Sequence, residues 1–199
     1  DFVGNVSHEL RRPLTAIKGF VEALLDGAVT EEGERARSLE IIKKESLALE
    51  DLIERLLDFS RLEKESEDLE LVPLNIRSPV EFAVEKMKTA AHLKDIEIQM
   101  EAAENLPSVM GNMDSLEQAT VNLVENAIKF SPRSGIVRVV IEQGEEEVTV
   151  KVRDQGPGVK EEEQEYIWER FARGHAGRKV PTQGSGLGLS IVKTIVLAH

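Results

Sequence analysis

Apolar residues in the first part of the chain recur at spacings that alternate mainly between four and three. The first such series, with Ser7 in its one gap, is Val3, Leu10, Leu14, Ile17, Val21, Leu24 and Ala28. The second is Leu39, Ile42, Ser46, Leu49, Ile53 and Leu56, beside which Leu52, Leu57 and Phe59 widen the apolar stripe. This alternation is that of the a and d positions of helical bundles, so it predicts two amphipathic helices.

A short turn separates the two predicted helices. Asp26-Gly27 breaks the first helix, and Thr30 is the predicted N-cap of the second. Since two such helices cannot enclose a core alone, we expect residues 1–62 to form a dimerisation domain that builds a homodimeric four-helix bundle. The alternative is a helical hairpin packed on the rest of the chain.

The periodicity changes after the charged stretch at 61–68, which is typical of a hinge or a fraying helix end. Strand-like runs follow at 69–76, 95–101, 136–142 and 147–153, and helical patterns at 77–92, 112–130, 161–170 and 186–198. The last two strands are predicted to form a hairpin. We therefore expect a linker at 63–68 and a second domain over 69–199, an α/β sandwich with helices on one face of the sheet.

The composition narrows the classes of partner. With 25 Lys and Arg against 37 Asp and Glu, the formal net charge is -12, which repels nucleic-acid phosphates and anionic membranes. An anionic ligand must therefore be held by local basic groups and backbone amides. The chain has no cysteine, which excludes disulfides and thiolate metal sites and fits a reducing cytosol. No run of about 18 apolar residues is present, so we expect no membrane span.

His8 is the first candidate for chemistry. It lies one position past the seam residue Ser7, so the predicted bundle leaves it exposed to solvent. Pro13 removes the helical hydrogen bond to the carbonyl of Glu9 and bends the helix beside His8, at a cost of about 3 kcal/mol. A neutral imidazole is a nucleophile when a carboxylate orients its other nitrogen, and Glu9 is placed to do so. An ordinary surface histidine is the alternative.

Asn122 and Asn126 stand four residues apart on a predicted helix, so both amides project from one face. Amide oxygens suit a hard cation such as Mg²⁺, and Lys129 adds a positive charge that suits a phosphate group. For this segment taken alone, the alternative is a polar helix face with ordinary asparagines.

Two glycine-rich turns follow, one after the strand at 147–153 and one before the final helix. In the first, Gly156 and Gly158 allow a tight turn, and Asp154 is predicted to offer a buried acceptor to an exocyclic amine. The second, at 184–190, presents free N–H groups and the positive end of a helix dipole to phosphate. The basic run between the two turns has the composition of a mobile lid over an anion. Structural turns and a plain surface loop explain the same residues.

Together and in this order, these segments resemble the two-component sensor histidine kinases, whose nucleotide domain is shared with the gyrase, Hsp90 and MutL ATPases. SHELRRPLTAIKGF is similar to the phosphoacceptor box, NLVENAIKFS to the asparagine box and DQGPGV to the first glycine box. WERFAR is similar to the phenylalanine box and GSGLGLSIVK to the second glycine box. The resemblance covers nearly the whole chain.

The resemblance implies an ATP-dependent protein-histidine kinase that phosphorylates His8, with Glu9 as the activating base. A response-regulator receiver domain would then accept the phosphoryl group on an aspartate. Mg²⁺ would be held mainly by Asn126, with help from Asn122. The residues implied in nucleotide binding are Asn122, Asn126, Lys129, Asp154, Gly156, Gly158, Phe171, Arg173, Gly184, Ser185, Gly186, Leu187 and Gly188.

Within that set the resemblance implies separate roles. Lys129 and Arg173 would contact phosphates, and Asp154 would bind the adenine amino group. Phe171 would help to anchor the lid, and the glycines would shape the pocket and the hinges of the lid. These roles follow from the positions of the residues in the family motifs.

Three departures from the family pattern matter. Many relatives carry Thr or Asn before the proline, where it aids dephosphorylation of the partner, whereas this chain has Arg12. We therefore expect weak or absent phosphatase activity. Ser185 stands where Thr is common and keeps a hydroxyl. Relatives usually continue beyond the position of His199 into two more strands, so we expect a sheet with an unpaired edge.

Two other functions stay open at this point. One is an ATPase of the gyrase or Hsp90 class that drives conformational change, against which the His8-Glu9 pair argues. The other is a non-catalytic module for dimerisation and partner docking. We expect the chain to be cytoplasmic, or the cytoplasmic part of a membrane-anchored sensor, with no direct contact to membrane or nucleic acid.

Overall fold

The structure, a computed structural model, describes residues 2–65, 69–172, 174 and 186–199. The chain divides into two compact units, the first ending at Ser60 and the second beginning at Arg61. The last three residues of the predicted linker lie outside the described residues. The domain limits inferred from the sequence stay predictions.

Helix α1 (Phe2–Leu25) and most of helix α2 (Glu32–Glu65) belong to the first unit, whose boundary at Ser60 falls within α2. Gly27 has a φ of +68°, a conformation that residues with a Cβ avoid, so α1 ends where the sequence predicts. The prediction of Thr30 as the N-cap of α2 is wrong by one residue. The carbonyl of Glu31 accepts the first helical hydrogen bond, at 3.0 Å, and the helix begins immediately after it.

Several residues of the predicted a/d seam are exposed on the single chain. Leu14 is 57% exposed, Leu39 58% and Ile53 44%. Covering apolar surface of this kind is favourable by about 25 cal/mol per Å². The stripe on the two helices is therefore a surface that gains free energy when a partner covers it.

The second unit contains two separate β-sheets within its described residues. Its strands are β1 (Val72–Leu74), β2 (Glu97–Ala102), β3 (Val109–Gly111), β4 (Ile136–Gln143) and β5 (Val148–Arg153). One sheet has the order β2-β4-β5, with β2 parallel and β5 antiparallel to β4, and the other pairs β1 with β3 antiparallel. The antiparallel register of β4 and β5 confirms the predicted hairpin.

The described part of this unit also contains the helices α3 (Arg77–His92), α4 (Met113–Phe130) and α5 (Gly188–Ala198). Val137 and Val139 of β4 are completely buried, because strand alternation turns them to the face that packs on α3 and α4. The other side of α4 packs against α5. The predicted α/β sandwich, with helices on one face of the sheet, is confirmed.

Two details differ from the sequence-based expectation. Strand β3 was not predicted, because three residues are too few to show a period of two. The helix predicted at 161–170 is wrong: the segment forms two short 3-10 turns, Glu161–Glu163 and Tyr166–Trp168. Its large apolar residues stand side by side at 166–168 and do not recur every three or four residues, so they cannot form one helical face. Every helix in the described ranges is too short or too polar to traverse a bilayer.

The central strand gives a direct test of this core. Ile141 is 1% exposed, so Ile141→Ala should lower the free energy of unfolding of the second unit by about 2–5 kcal/mol. Urea unfolding followed by the fluorescence of Trp168, the single tryptophan of the chain, reports on this unit. Val159→Ala, at a position 46% exposed, is the control and should change the stability by less than about 0.5 kcal/mol. Equal effects would contradict the assigned core.

Candidate active site

Helix α4 carries the asparagine pair on a well-defined frame. At its start, the side chain of Asn112 accepts a hydrogen bond from the Ser115 N–H at 3.1 Å and caps the helix. Asn122 is 6% exposed and donates through Nδ2 to the carbonyl of Gln118 at 3.0 Å. Asn126, one turn further along, is half-buried. The fixed Nδ2 of Asn122 leaves its Oδ1 as the group that faces the next element.

The N-terminus of α5 lies against both asparagines. A Cβ placed on Gly188 would be 3.1 Å from Oδ1 of Asn122 and 3.6 Å from Nδ2 of Asn126. The N-cap residue of α5, Leu187, makes no side-chain cap, and the first turn of the helix contains no acidic residue. The positive end of the helix dipole therefore lies beside the two asparagines. The structure thus brings together two motifs that the sequence placed more than sixty residues apart.

The turn after β5 lies beside the end of α4. The backbone N–H of Gly156 donates to Oδ1 of Asp154 at 2.7 Å, and a Cβ on Gly156 would be 3.0 Å from the carbonyl oxygen of Phe130. Gly158 has a φ of +70°. The prediction that Asp154 is buried is wrong: the residue is exposed, because it follows the last residue of β5 and closes the turn itself.

Phe171 and Gly186 are joined at the backbone. The Phe171 N–H donates to the carbonyl of Gly186 at 3.0 Å, and both residues have positive φ angles, +61° and +70°. A Cβ on Gly186 would be only 2.7 Å from the carbonyl carbon of Phe171, so only glycine fits at this approach. Leu187 is fully buried next to the junction.

Not all predicted site residues can be placed. Arg173, Gly184, Ser185 and most of the predicted lid lie outside the described residues. Lys129 is in the last turn of α4, with its Nζ 5.2 Å from the centre of the Phe130 ring, a cation–π distance. Its charge therefore lies at the end of α4 that also contacts the turn after β5.

The candidate phosphoacceptor belongs to the first unit. His8 and Arg12 are exposed on α1, and Glu9 is half-buried. The helix continues through Pro13. The exposure of His8 agrees with its predicted position beside the seam.

Lys94 is a residue at this site that the sequence did not suggest. It lies just before β2, and its Nζ donates to the carbonyls of Ile128, Lys129 and Ser131 at 2.7–2.8 Å. Burial, reinforced by the nearby charge of Arg133, lowers the pKa of Lys94 from its ordinary value. Its partners are backbone atoms, which have no residue pattern, so no sequence signal could have identified it.

The donor set of the site fits a magnesium–nucleotide complex. Among the described residues, no three His, Asp or Glu side chains are grouped so that they could hold a metal ion. The described residues offer the amide oxygens of Asn122 and Asn126, beside a helix N-terminus whose N-cap residue makes no side-chain cap. Mg²⁺ binds through few protein oxygens and takes its other ligands from phosphate and water, which matches this set.

Family models match both units. The model of the His Kinase A (phospho-acceptor) domain matches residues 1–65. The model described as "Histidine kinase-, DNA gyrase B-, and HSP90-like ATPase" matches residues 111–199. The structure of the mycobacterial sensor histidine kinase MprB is 33% identical, with a TM-score of 0.56 over 65% of this chain and 80% of that one. The chain belongs to the sensor histidine kinase family.

Longer relatives extend the match. The sensor-like histidine kinase SenX3 of Mycobacterium tuberculosis is 38% identical over 199 residues, which are 100% of this chain and 48% of that protein. The chain thus spans about half the length of that relative. Full-length ShkA, solved in complex with AMPPNP, is 29% identical with a TM-score of 0.66 over 98% of this chain and 40% of that one.

Substitution of Gly186 tests its backbone junction with Phe171, and Gly158 provides the comparison. Gly158→Ala should cost about 1–2 kcal/mol of stability, because only the left-handed φ penalises it and no atom lies within 4 Å of the new methyl group. Gly186→Ala has the same φ penalty and also overlaps the Phe171 backbone, so it should cost clearly more. Urea unfolding followed by Trp168 fluorescence measures both. Equal losses would show that the close approach of Gly186 to Phe171 is unimportant.

Proposed function

We propose that this chain is the kinase core of a two-component sensor. It binds ATP with Mg²⁺ in its second unit, phosphorylates His8 in its first unit, and then passes the phosphoryl group to an aspartate of a response-regulator receiver domain. The observation that carries the proposal is the contact of Gly188 with Asn122 and Asn126, in a chain whose His8 is exposed. The AMPPNP complex of ShkA supports the choice of nucleotide.

In this reaction the imidazole of His8 is the nucleophile. One neutral ring nitrogen attacks the γ-phosphorus of ATP in line with the leaving group, so that a P–N bond forms as the bond to the β–γ bridging oxygen breaks. ADP leaves with the bridging oxygen. Glu9 orients the other ring nitrogen and accepts its proton, which leaves a phosphohistidine whose imidazole ring is neutral.

The second unit positions the phosphate chain. Asn126 and Asn122 would hold Mg²⁺ through their amide oxygens, and the ion supplies charge neutralisation to the phosphate oxygens. Lys129 and Arg173 contact the phosphates, and the uncapped start of α5 directs its dipole at them. Asp154 accepts a hydrogen bond from the adenine amino group. Its exposure fits this role, because an acceptor for a ligand must be reachable from solvent.

The first unit provides the assembly. The exposed seam, with Leu14 57% and Leu39 58% accessible, supports a homodimeric four-helix bundle formed through residues 1–62. Such a bundle buries the stripe without using the surface around His8, which then serves as the docking face for the receiver domain. We further propose a cytoplasmic location, where ATP and the receiver domain are available.

Incubation with γ-labelled ATP and Mg²⁺ tests the kinase reaction. The protein should acquire an acid-labile, base-stable label, and His8→Gln should abolish it. Glu9→Gln should slow labelling about 10²- to 10⁴-fold, the usual contribution of a general base, while leaving the affinity for ATP unchanged.

Glu22→Gln is the matched control for Glu9→Gln, since Glu22 is an exposed glutamate on the same helix. It should label at the parent rate. A label that persists in His8→Gln would refute His8 as the acceptor. Phosphate release without any label would favour an ATPase instead.

We also propose that Arg12 leaves this kinase with little phosphatase activity. A water that attacks an acyl phosphate needs an acceptor for its proton, which a threonine hydroxyl or asparagine oxygen supplies and a guanidinium does not. Arg12→Thr should therefore accelerate phosphoryl loss from a receiver domain that the chain has itself phosphorylated, with autophosphorylation unchanged. Thr15→Val, one turn away, is the control. Rapid phosphoryl loss in the presence of the parent protein would contradict the proposal.

A further inference from the structure

Lys94 closes the C-terminal end of α4. The last carbonyls of a helix have no partner within the helix and carry the negative end of its dipole. The Nζ of Lys94 donates to two of them, those of Ile128 and Lys129, each at 2.8 Å, and to the carbonyl of Ser131 at 2.7 Å. A protonated ammonium has three donors, and all three are used.

The same junction holds the turn after β5. Ser131, which is 2% exposed, is bound by Lys94 at its carbonyl, and its Oγ accepts from the Gln155 N–H at 3.4 Å. The side chain of Gln155 in turn accepts from the Ile136 N–H at 2.8 Å. Gly156 packs closely against the backbone of Phe130, since a Cβ on Gly156 would be 3.0 Å from the Phe130 carbonyl oxygen. One cation therefore organises the segment through which α4 and the turn at 154–156 are joined.

This junction lies between the two groups that hold opposite ends of the nucleotide. In the proposed function, Asn126 acts at the phosphates and Asp154 at the adenine. Asn126 is two and three residues before Ile128 and Lys129, whose carbonyls Lys94 binds, and Asp154 is next to Gln155, which is bound to Ser131. The distance between the two binding groups thus depends on contacts that converge on Lys94.

We propose that Lys94 is a positioning residue for nucleotide binding: by holding the end of α4 and Ser131 together, it sets the placement of Asn126 relative to Asp154. The inference rests on the proposed function, because it assumes that these two residues bind the same ATP. Lys94 itself touches no substrate. Its effect should therefore appear as a loss of affinity in a protein that is still folded.

The affinity for ATP and for inosine triphosphate provides the test. Lys94→Met keeps the length of the side chain but removes the donors. It should weaken ATP binding roughly tenfold to a hundredfold, the usual cost of losing a residue that orients ligating groups. Inosine triphosphate lacks the amino group that Asp154 binds, so its affinity should fall less in the same variant. Lys94→Arg keeps the charge but cannot direct one nitrogen at three carbonyls, and its affinity for ATP should be intermediate.

Val84→Ala separates positioning from loss of stability. Val84 is buried in the core on α3, so this variant lowers the melting temperature without changing the junction. Measured well below both melting temperatures, Val84→Ala should bind ATP like the parent. An unchanged affinity in Lys94→Met would overturn the proposal, as would equal losses for ATP and inosine triphosphate.

Failure of the proposed function has a different signature. In that case the parent protein itself would bind no ATP. Failure of the positioning role alone would leave the parent affinity intact and would appear only in the comparison of variants and nucleotides.

Discussion

The proposed nucleotide site depends on the close packing of Gly188 against helix α4. A Cβ on Gly188 would lie 3.1 Å from Oδ1 of Asn122 and 3.6 Å from Nδ2 of Asn126, so the N-terminus of α5 packs closely on α4 at this glycine. This contact has an electrostatic consequence in a chain with a net charge of -12, whose overall field repels phosphates. The positive potential for an anion must therefore be local, and in the proposed function it comes from the end of a helix dipole together with Lys129.

The elements whose sequence shows a long, regular period were predicted well. Helix α3 begins and ends at the predicted residues, because its apolar positions recur every three or four residues over 16 residues. The hairpin of β4 and β5 was likewise predicted from alternation on both sides of a glycine-containing turn. Two short elements were not predicted correctly. Strand β3 has too few residues to show a period, and the apolar residues at 166–168 stand side by side without the period of a helix.

Only part of the candidate site could be predicted from the sequence, because several of its contacts are tertiary. The common helix face of Asn122 and Asn126 follows from their spacing, since four residues make about one turn. Their contact with Gly188 is tertiary, and no local rule gives it. Lys94 was missed because backbone carbonyls, which every residue has, are its partners. The exposure of Asp154 was misjudged because the residue lies just after the last residue of β5 and accepts a hydrogen bond from the turn that follows.

In the first unit, an offset of one residue separates the seam proposed for dimerisation from His8, the proposed nucleophile. Ser7 continues the apolar seam and His8 follows it, so the two side chains point about 100° apart around the helix axis. Covering the exposed stripe at Leu14 and Leu39 in the proposed dimer therefore stabilises the bundle while the imidazole stays in solvent. If the seam were shifted by one residue, His8 would lie within the stripe, and formation of the dimer would bury it. The nucleophile would then be inaccessible in the assembled state, so the heptad register is itself a requirement of the proposed reaction.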